Sequence, residues 1–384
     1  MRRLVVIPGD QIFKYYEKGE IKARYWNPCG LFDEVHILSL NESDIEPEKV
    51  QALVGDAELH IHAVGRPTAL TLAFYYFKIT RIIRRLDPDL IRAHGPWHSG
   101  SLGAFAGKRL GIPCIGSIHN DIDIMRRYER QILLRLVEPL VQYTFRNASV
   151  ILCVSNYLHK YVRAHGGRRM ITNYNRVYLS QFLQTETSRP ARDMVTILCV
   201  MRLDRQKNPE CLLRAVHAAP GVQLKLVGQG ELEESSKALA QELAIEDRVE
   251  FIPMVPNAEI HRLYQEADIF ALATYYEGFC IPILEAMAAA LPVVACATDP
   301  IPELLGDTGT IVDMNPQAFA SAFSRLAGDT ELRQTMGQRA RQRAMSFDGG
   351  VMEEREAEIF SAYMSDDRAE IDRILSPEYR YIEP

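Results

Sequence analysis

Short apolar runs recur from one end of the chain to the other, each followed by a longer segment with helical patterning. In the first half the runs lie at 4–7, 35–40, 59–64, 90–93, 114–118, 150–154 and 170–173. In the second they lie at 195–200, 222–227, 249–252, 269–273, 293–297 and 310–312. Most are continuously apolar rather than alternating, which fits strands covered on both faces. Helix-like segments at 69–86, 129–146, 209–218, 232–243 and 317–327 stand between them. Strand and helix in strict alternation build parallel sheets from crossover units, so the chain reads as α/β.

The rhythm breaks once, at about 181–193, where Thr185-Glu186-Thr187-Ser188-Arg189-Pro190 is polar with few apolar anchors. Such a stretch reads as an interdomain linker. The expectation is two Rossmann-like domains of similar length, at 1–185 and 194–354. A charged helical segment at 352–375 is expected to cross back, so that about 355–384 packs on the first. A chain of 384 residues suits two cores better than one.

The net charge of −6 hides an asymmetry. Residues 1–190 hold 26 Lys and Arg against 18 Asp and Glu, while residues 191–384 hold 18 against 32. Halves of opposite sign suggest different partners or mutual attraction. No nucleic-acid partner is expected. The seven cysteines form no Cys-x-x-Cys pair, and Cys114, Cys153, Cys199 and Cys296 sit in apolar runs. That pattern fits reduced core thiols in a cytoplasmic protein. The opening Met1-Arg2-Arg3-Leu4-Val5-Val6-Ile7-Pro8 has too short an apolar run for a signal peptide, and no stretch approaches the roughly 20 apolar residues of a spanning helix. Contact with a membrane surface stays open. The basic and aromatic stretches at 74–85 and 126–135 are read first as amphipathic helices with aromatics in the core and a solvated basic face, and second as surfaces for anionic lipid.

The run Tyr276-Glu277-Gly278-Phe279-Cys280-Ile281-Pro282-Ile283-Leu284-Glu285-Ala286-Met287 places two carboxylates eight residues apart, the first in a glycine turn and the second at an apolar helix start. A carboxylate in apolar company is costly unless something pairs with it. A helix N-terminus beside carboxylates suits a ligand that carries both phosphate and hydroxyls, as a sugar nucleotide does.

This run resembles the Glu-x7-Glu motif of the retaining glycosyltransferases of family 4. The resemblance implies the GT-B architecture, two Rossmann-like parallel-sheet domains facing a central cleft. It gives the first half the acceptor and the second half the nucleotide-sugar donor. It also implies that Glu277 approaches the donor sugar hydroxyls, that the backbone of Gly278, Phe279, Cys280 and Ile281 faces sugar and diphosphate, and that Glu285 meets the ribose. Cys280 stands where the family more often has glycine.

Other segments carry the same resemblance. Val200-Met201-Arg202-Leu203-Asp204-Arg205-Gln206-Lys207-Asn208 is similar to the family's Gly-Arg-Leu…Lys loop, with Met201 in place of glycine, and implies that Arg202 and Lys207 clamp the diphosphate. Gly228-Gln229-Gly230 would line the donor site; alone it is a tight turn. Met254 and Val255 would face the base. In Ser117-Ile118-His119-Asn120-Asp121, His119 would point toward the sugar, although a lone strand-end histidine is more often a satisfied polar group. Gly19 is the candidate for the family's N-terminal glycine loop. Arg176 stands where the family has glycine.

The implied function is retaining transfer of a hexose from a nucleotide-diphosphate sugar to a hydroxyl of a glycan or lipid-linked acceptor. UDP-glucose is the commonest donor of the family. Polysaccharide or glycolipid synthesis in the cytoplasm, with peripheral contact on the inner face of the cell membrane, fits that reading. No Asp-x-Asp pair occurs in the second half, so the paired cations carry an expectation of metal-independent transfer with no resident cofactor. A nucleotide-sugar epimerase of the same architecture and a non-catalytic nucleotide-binding module are the alternatives. A nicotinamide dehydrogenase is disfavoured, because no Gly-x-Gly-x-x-Gly follows the first strand.

Overall fold

The computed structural model describes residues 1–19, 21–129, 132–183, 194–376 and 379. The chain forms two compact units, Met1–Tyr174 with Val351–Tyr381, and Asn175–Gly350. Residues 184–193 of the expected linker lie outside the described residues. The segment ahead of them is held by the second unit. Val177 forms a bridge to Asp348, and Phe182 meets Tyr264 edge-on at 5.3 Å.

All thirteen apolar runs are strands, within one residue at either end. The first unit holds β1 (Arg3–Ile7), β2 (Glu34–Ser39), β3 (Glu58–Ala63), β4 (Leu90–His94), β5 (Cys114–Ile118), β6 (Val150–Cys153) and β7 (Met170–Thr172). They make one sheet, ordered β3-β2-β1-β4-β5-β6-β7, in which every pairing is parallel. Successive side chains take opposite faces, and both faces are covered except at the edge strand β3, where Glu58 and Ala63 are exposed. Leu4, Val6, Val35 and Ile37 face one core, which Ile359, Phe360 and Tyr363 of the helix Gly349–Met364 complete. Val5, Ile7, Leu38 and Ile91 face the other, packed on Ile79 and Ile83 of the helix Leu72–Leu86 and on Leu102.

The second unit holds β8 (Val195–Val200), β9 (Val222–Val227), β10 (Val249–Ile252), β11 (Ile269–Leu272), β12 (Val293–Cys296) and β13 (Thr310–Val312). They form a second fully parallel sheet, ordered β10-β9-β8-β11-β12-β13. No helix among the described residues is long and apolar enough to cross a membrane.

Three helical expectations are corrected. The segment 129–146 is not one helix: Ile122–Glu129, a 3-10 turn at Ile132–Val137 and Glu138–Asn147 follow one another. Pro139 has no N–H to donate, so it fits the first turn of a helix and not its interior. The segment 352–375 also breaks, into Gly349–Met364 and Arg368–Leu375. Asp366 turns left-handed (φ 49°) and the Asp367 carboxylate caps the new helix by accepting the Glu370 N–H at 3.1 Å. In the helix Leu72–Leu86, Tyr75 is buried as expected but Phe74 and Phe77 are exposed, alongside Arg81, Arg84 and Arg85.

Candidate functional site

In the second sheet the strand order reverses between β8 and β11, and open parallel sheets receive ligands beyond the carboxyl ends at such a point. The loop after β8 and the loop after β11 are clasped together by Gln206. Its carbonyl accepts the Tyr275 N–H (2.9 Å) and the Thr274 hydroxyl (3.2 Å), and its side-chain amide donates to the Tyr276 carbonyl (2.7 Å). Asp204 steadies the same loop by accepting the Lys207 N–H at 3.1 Å.

The clasp brings Lys207 Nζ to 2.5 Å from Glu277 Oε1, across 70 positions of sequence. Their side chains are 13% and 5% exposed, so the pair is nearly dry. Burial alone would lower the Lys207 pKa. The attraction of Glu277 and the hydrogen bond to it outweigh burial and hold it above the ordinary value. Lys207 is therefore a fixed cation. Arg202 lies on the same loop with its side chain 69% exposed, aimed by Asp204 Oδ2 at 3.1 Å and Gln206 Oε1 at 2.9 Å. One cation is thus locked and the other is presented to solvent.

Gly278, Phe279 and Cys280 lead into the helix Ile281–Ala288, whose second residue is Pro282. The helix begins four residues before Glu285, so the expectation that Glu285 opens it is corrected. Proline is tolerated in the first turn, where its missing N–H is not needed. Glu285 Oε2 instead accepts the hydroxyl of the fully buried Tyr264 at 2.6 Å. Cys280 has φ −110°, an ordinary conformation for any residue, so this turn does not demand glycine. Burial, with Glu277 close by, pushes the Cys280 thiol far above its usual range.

Gly228 and Gly230 pack against the loop after β8. A Cβ on Gly228 (φ 133°) would overlap the Met201 carbonyl oxygen, and one on Gly230 would overlap that of Leu203 and stand 2.9 Å from its nitrogen. Hydrogen bonds stitch the same seam, from Leu203 N to the Gln229 carbonyl (2.9 Å) and from Leu232 N to the Leu203 carbonyl (2.8 Å). Met254, exposed, and Val255, half-buried, lie in the loop after β10.

In the first unit the strand order reverses between β1 and β4. A cavity of about 560 Å³ opens there, lined among others by Gly9, Asp10, Lys14, His94, His119 and Asn120. The His94 and His119 rings stack at 6.1 Å. Asp121, beside them, accepts the N–H groups of Asp123 (2.9 Å) and Ile124 (3.1 Å) and so starts the helix Ile122–Glu129. Gly19 is not brought to this cavity. It ends the helix Ile12–Glu17 with φ 66° and open space around it, and Gly9 takes the place after β1. Arg176 is buried in the second unit.

Two family models match the chain, Glycosyltransferase Family 4 over residues 31–180 and Glycosyl transferases group 1 over residues 184–343. The chain belongs to glycosyltransferase family 4. Among its relatives in the family is a D-inositol 3-phosphate glycosyltransferase of Corynebacterium aurimucosum, 27% identical over 73% of this chain and 73% of that protein. A protein of the same description from Corynebacterium glutamicum is 32% identical, but the match covers only 38% of either chain. Anabaena Alr3699/HepE, solved in complex with UDP, superimposes with a TM-score of 0.75 at 20% identity, over 94% of this chain and 100% of that one. Its complex with UDP-glucose gives 0.71 at 21%. The two parallel-sheet units of this family 4 member match the GT-B fold.

Sequence reasoning missed Gln206, Asp204, Thr274 and Tyr264. The polar density of Asp204-Arg205-Gln206-Lys207-Asn208 was a signal for the first two; nothing local marks Tyr264. Tyr264→Phe removes the hydrogen bond that aims Glu285. With Glu285 on the donor, as the resemblance implies, the expected result is a donor KM raised roughly 3- to 10-fold with kcat nearly unchanged, the effect of losing one hydrogen bond to a charged group. Steady-state kinetics with varied donor checks it, and an unchanged KM would remove Glu285 from the donor site.

Proposed function

We propose that this protein transfers a hexose, with retention, from a nucleotide-diphosphate sugar to a hydroxyl of a glycan or lipid-linked acceptor. A UDP-sugar, with glucose as the first candidate, is the proposed donor. The observation that carries the reading is the dry Lys207–Glu277 pair on clasped loops at the carboxyl ends of β8 and β11. In this reading Lys207 and Arg202 meet the growing negative charge of the departing diphosphate. Glu277 holds sugar hydroxyls, Glu285 the ribose, and the backbone of Gly278, Phe279, Cys280 and Ile281 the sugar and phosphates. Gly228 and Gly230 shape the wall of the donor site, and Met254 and Val255 lie against the base. A phosphate oxygen of the leaving group takes the acceptor proton, so no protein base is required.

The second unit is the donor domain in this proposal and the first is the acceptor domain. The cavity beside His119 takes the acceptor, since imidazoles, Asn120 and Lys14 suit a polyol. A lipid-linked acceptor is supported by the exposed Phe74 and Phe77 beside Arg81, Arg84 and Arg85, a pattern suited to the surface of an anionic membrane.

The test is a melting-temperature screen with nucleoside diphosphates, followed by proton NMR of UDP-glucose with and without an acceptor panel. UDP is expected to raise the melting temperature, because a ligand bound only by the folded state stabilises it. An α-linked product from the α-linked donor is expected with acceptor. An isomerised donor without acceptor would assign epimerisation instead. Binding without any release of sugar would leave a nucleotide-binding module.

A further inference from the structure

On β2 and β3, polar residues alternate with apolar ones: Glu34 and His36 around Val35, then Glu58, His60 and His62 around Leu59 and Ile61. The strands run parallel with Glu34 opposite Glu58, His36 opposite His60 and Leu38 opposite His62. Every second residue shares a face, so all five polar groups emerge together. β3 is the edge strand of its sheet. One oxygen of Glu34, Oε1, lies 3.1 Å from His36 Nε2 and 3.2 Å from His60 Nε2. One ligand atom from each of the three residues falls within 4.8 Å of the others.

We propose that Glu34, His36 and His60 form a binding site for a divalent cation of the zinc type, which staples the edge strand β3 to β2. Ligand atoms about 2.0–2.1 Å from a tetrahedral zinc stand about 3.3 Å apart. The two Glu34–imidazole separations already match that spacing. Imidazole with carboxylate suits zinc rather than magnesium or calcium, which take oxygen alone.

The partners behind these groups are also those of a metal site. Glu34 Oε2 accepts from Arg3 Nε at 2.9 Å, which orients the carboxylate. His36 Nδ1 lies 3.1 Å from His62 Nε2, so a ligating His36 donates its other ring N–H there. Glu58 Oε1, 3.2 Å from His60 Nε2 on an exposed side chain, is the nearest fourth donor. The competing arrangement is a hydrogen-bonded network in which two imidazoles share one carboxylate.

The experiment titrates zinc chloride into the untagged chain, residues 1–384, by calorimetry, with the exposed Cys29 changed to serine to remove a thiol ligand. One equivalent is expected to bind and raise the melting temperature. His60→Gln, at a side chain 35% exposed, should weaken binding at least about 100-fold. His62→Gln should weaken it roughly 10-fold through the outer hydrogen bond. Cobalt(II) reads the parent protein independently, with the intense visible bands of a four-coordinate site. Failure of the parent to take up zinc, a weak six-coordinate cobalt spectrum, or binding undiminished in His60→Gln would each overturn the site. The readouts do not involve glycosyl transfer, so they stand apart from the proposed activity.

Discussion

Lys207→Ala is expected to lower kcat/KM for glycosyl transfer by at least about 100-fold, the effect of removing a group with the role proposed for it, stabilising transition-state charge. The same change should destabilise the second unit. Glu277, 5% exposed at its side chain, would lose its cation in a dry setting, and breaking a buried pair from one side costs about 3–5 kcal/mol. Loss of activity could then reflect loss of fold. The double change Lys207→Met with Glu277→Gln separates the two, because it removes both charges and keeps the volume. It should recover most of the stability, measured by urea unfolding, and none of the activity. Recovery of both would mean that the pair is structural only. The sign of the pH dependence follows from Lys207. Its folded pKa lies above the ordinary 10.5, so the stability contributed by the Lys207 charge is fully present below 10.5 and fades only as pH climbs through the higher folded value. The alkaline limb of a rate profile near neutrality therefore belongs to some other group.

Gly230→Ala is expected to destabilise the protein by about 1–3 kcal/mol and to cost far more in turnover than in stability. The added methyl has no room, since Leu203 offers its carbonyl oxygen and its nitrogen, at 2.9 Å, to the same space. These atoms are backbone, so relief requires the whole loop after β8 to move. That loop carries Arg202, Gln206 and Lys207, and a misplacement of about 1 Å at reacting groups is worth about 100-fold in rate. A variant with unchanged kcat/KM and reduced stability would show that the glycine seam packs the fold without positioning the site.

Much of this architecture was legible in the chain. The strands could be read because doubly covered parallel strands are apolar over most of their length, while β3 and β9, which alternate, still stand out as short β-rich runs between helical segments. Two of the helix errors share one cause: apolar periodicity extends across a break that local backbone geometry imposes. Pro139 and the Asp366-Asp367 turn each stop a helix through backbone geometry that the apolar pattern ignores. Glu277 and Lys207 were both singled out, but as separate contributors to a ligand site. That they pair, and that Gln206 ties their loops, depends on β8 and β11 being neighbours across the reversal of strand order.

The chain by itself determined its order of strands and helices, the glycines that two touching loops require, and the pair of carboxylates in the loop and helix after β11. These are local properties, set by side-chain size, apolar periodicity and the conformations each residue tolerates. Tertiary structure alone decided which distant groups meet: Lys207 with Glu277, Tyr264 with Glu285, and Glu34 with His60. Those contacts follow from strand order and register. Hydrophobic burial over the whole sheet sets both, and no short stretch of sequence carries that information.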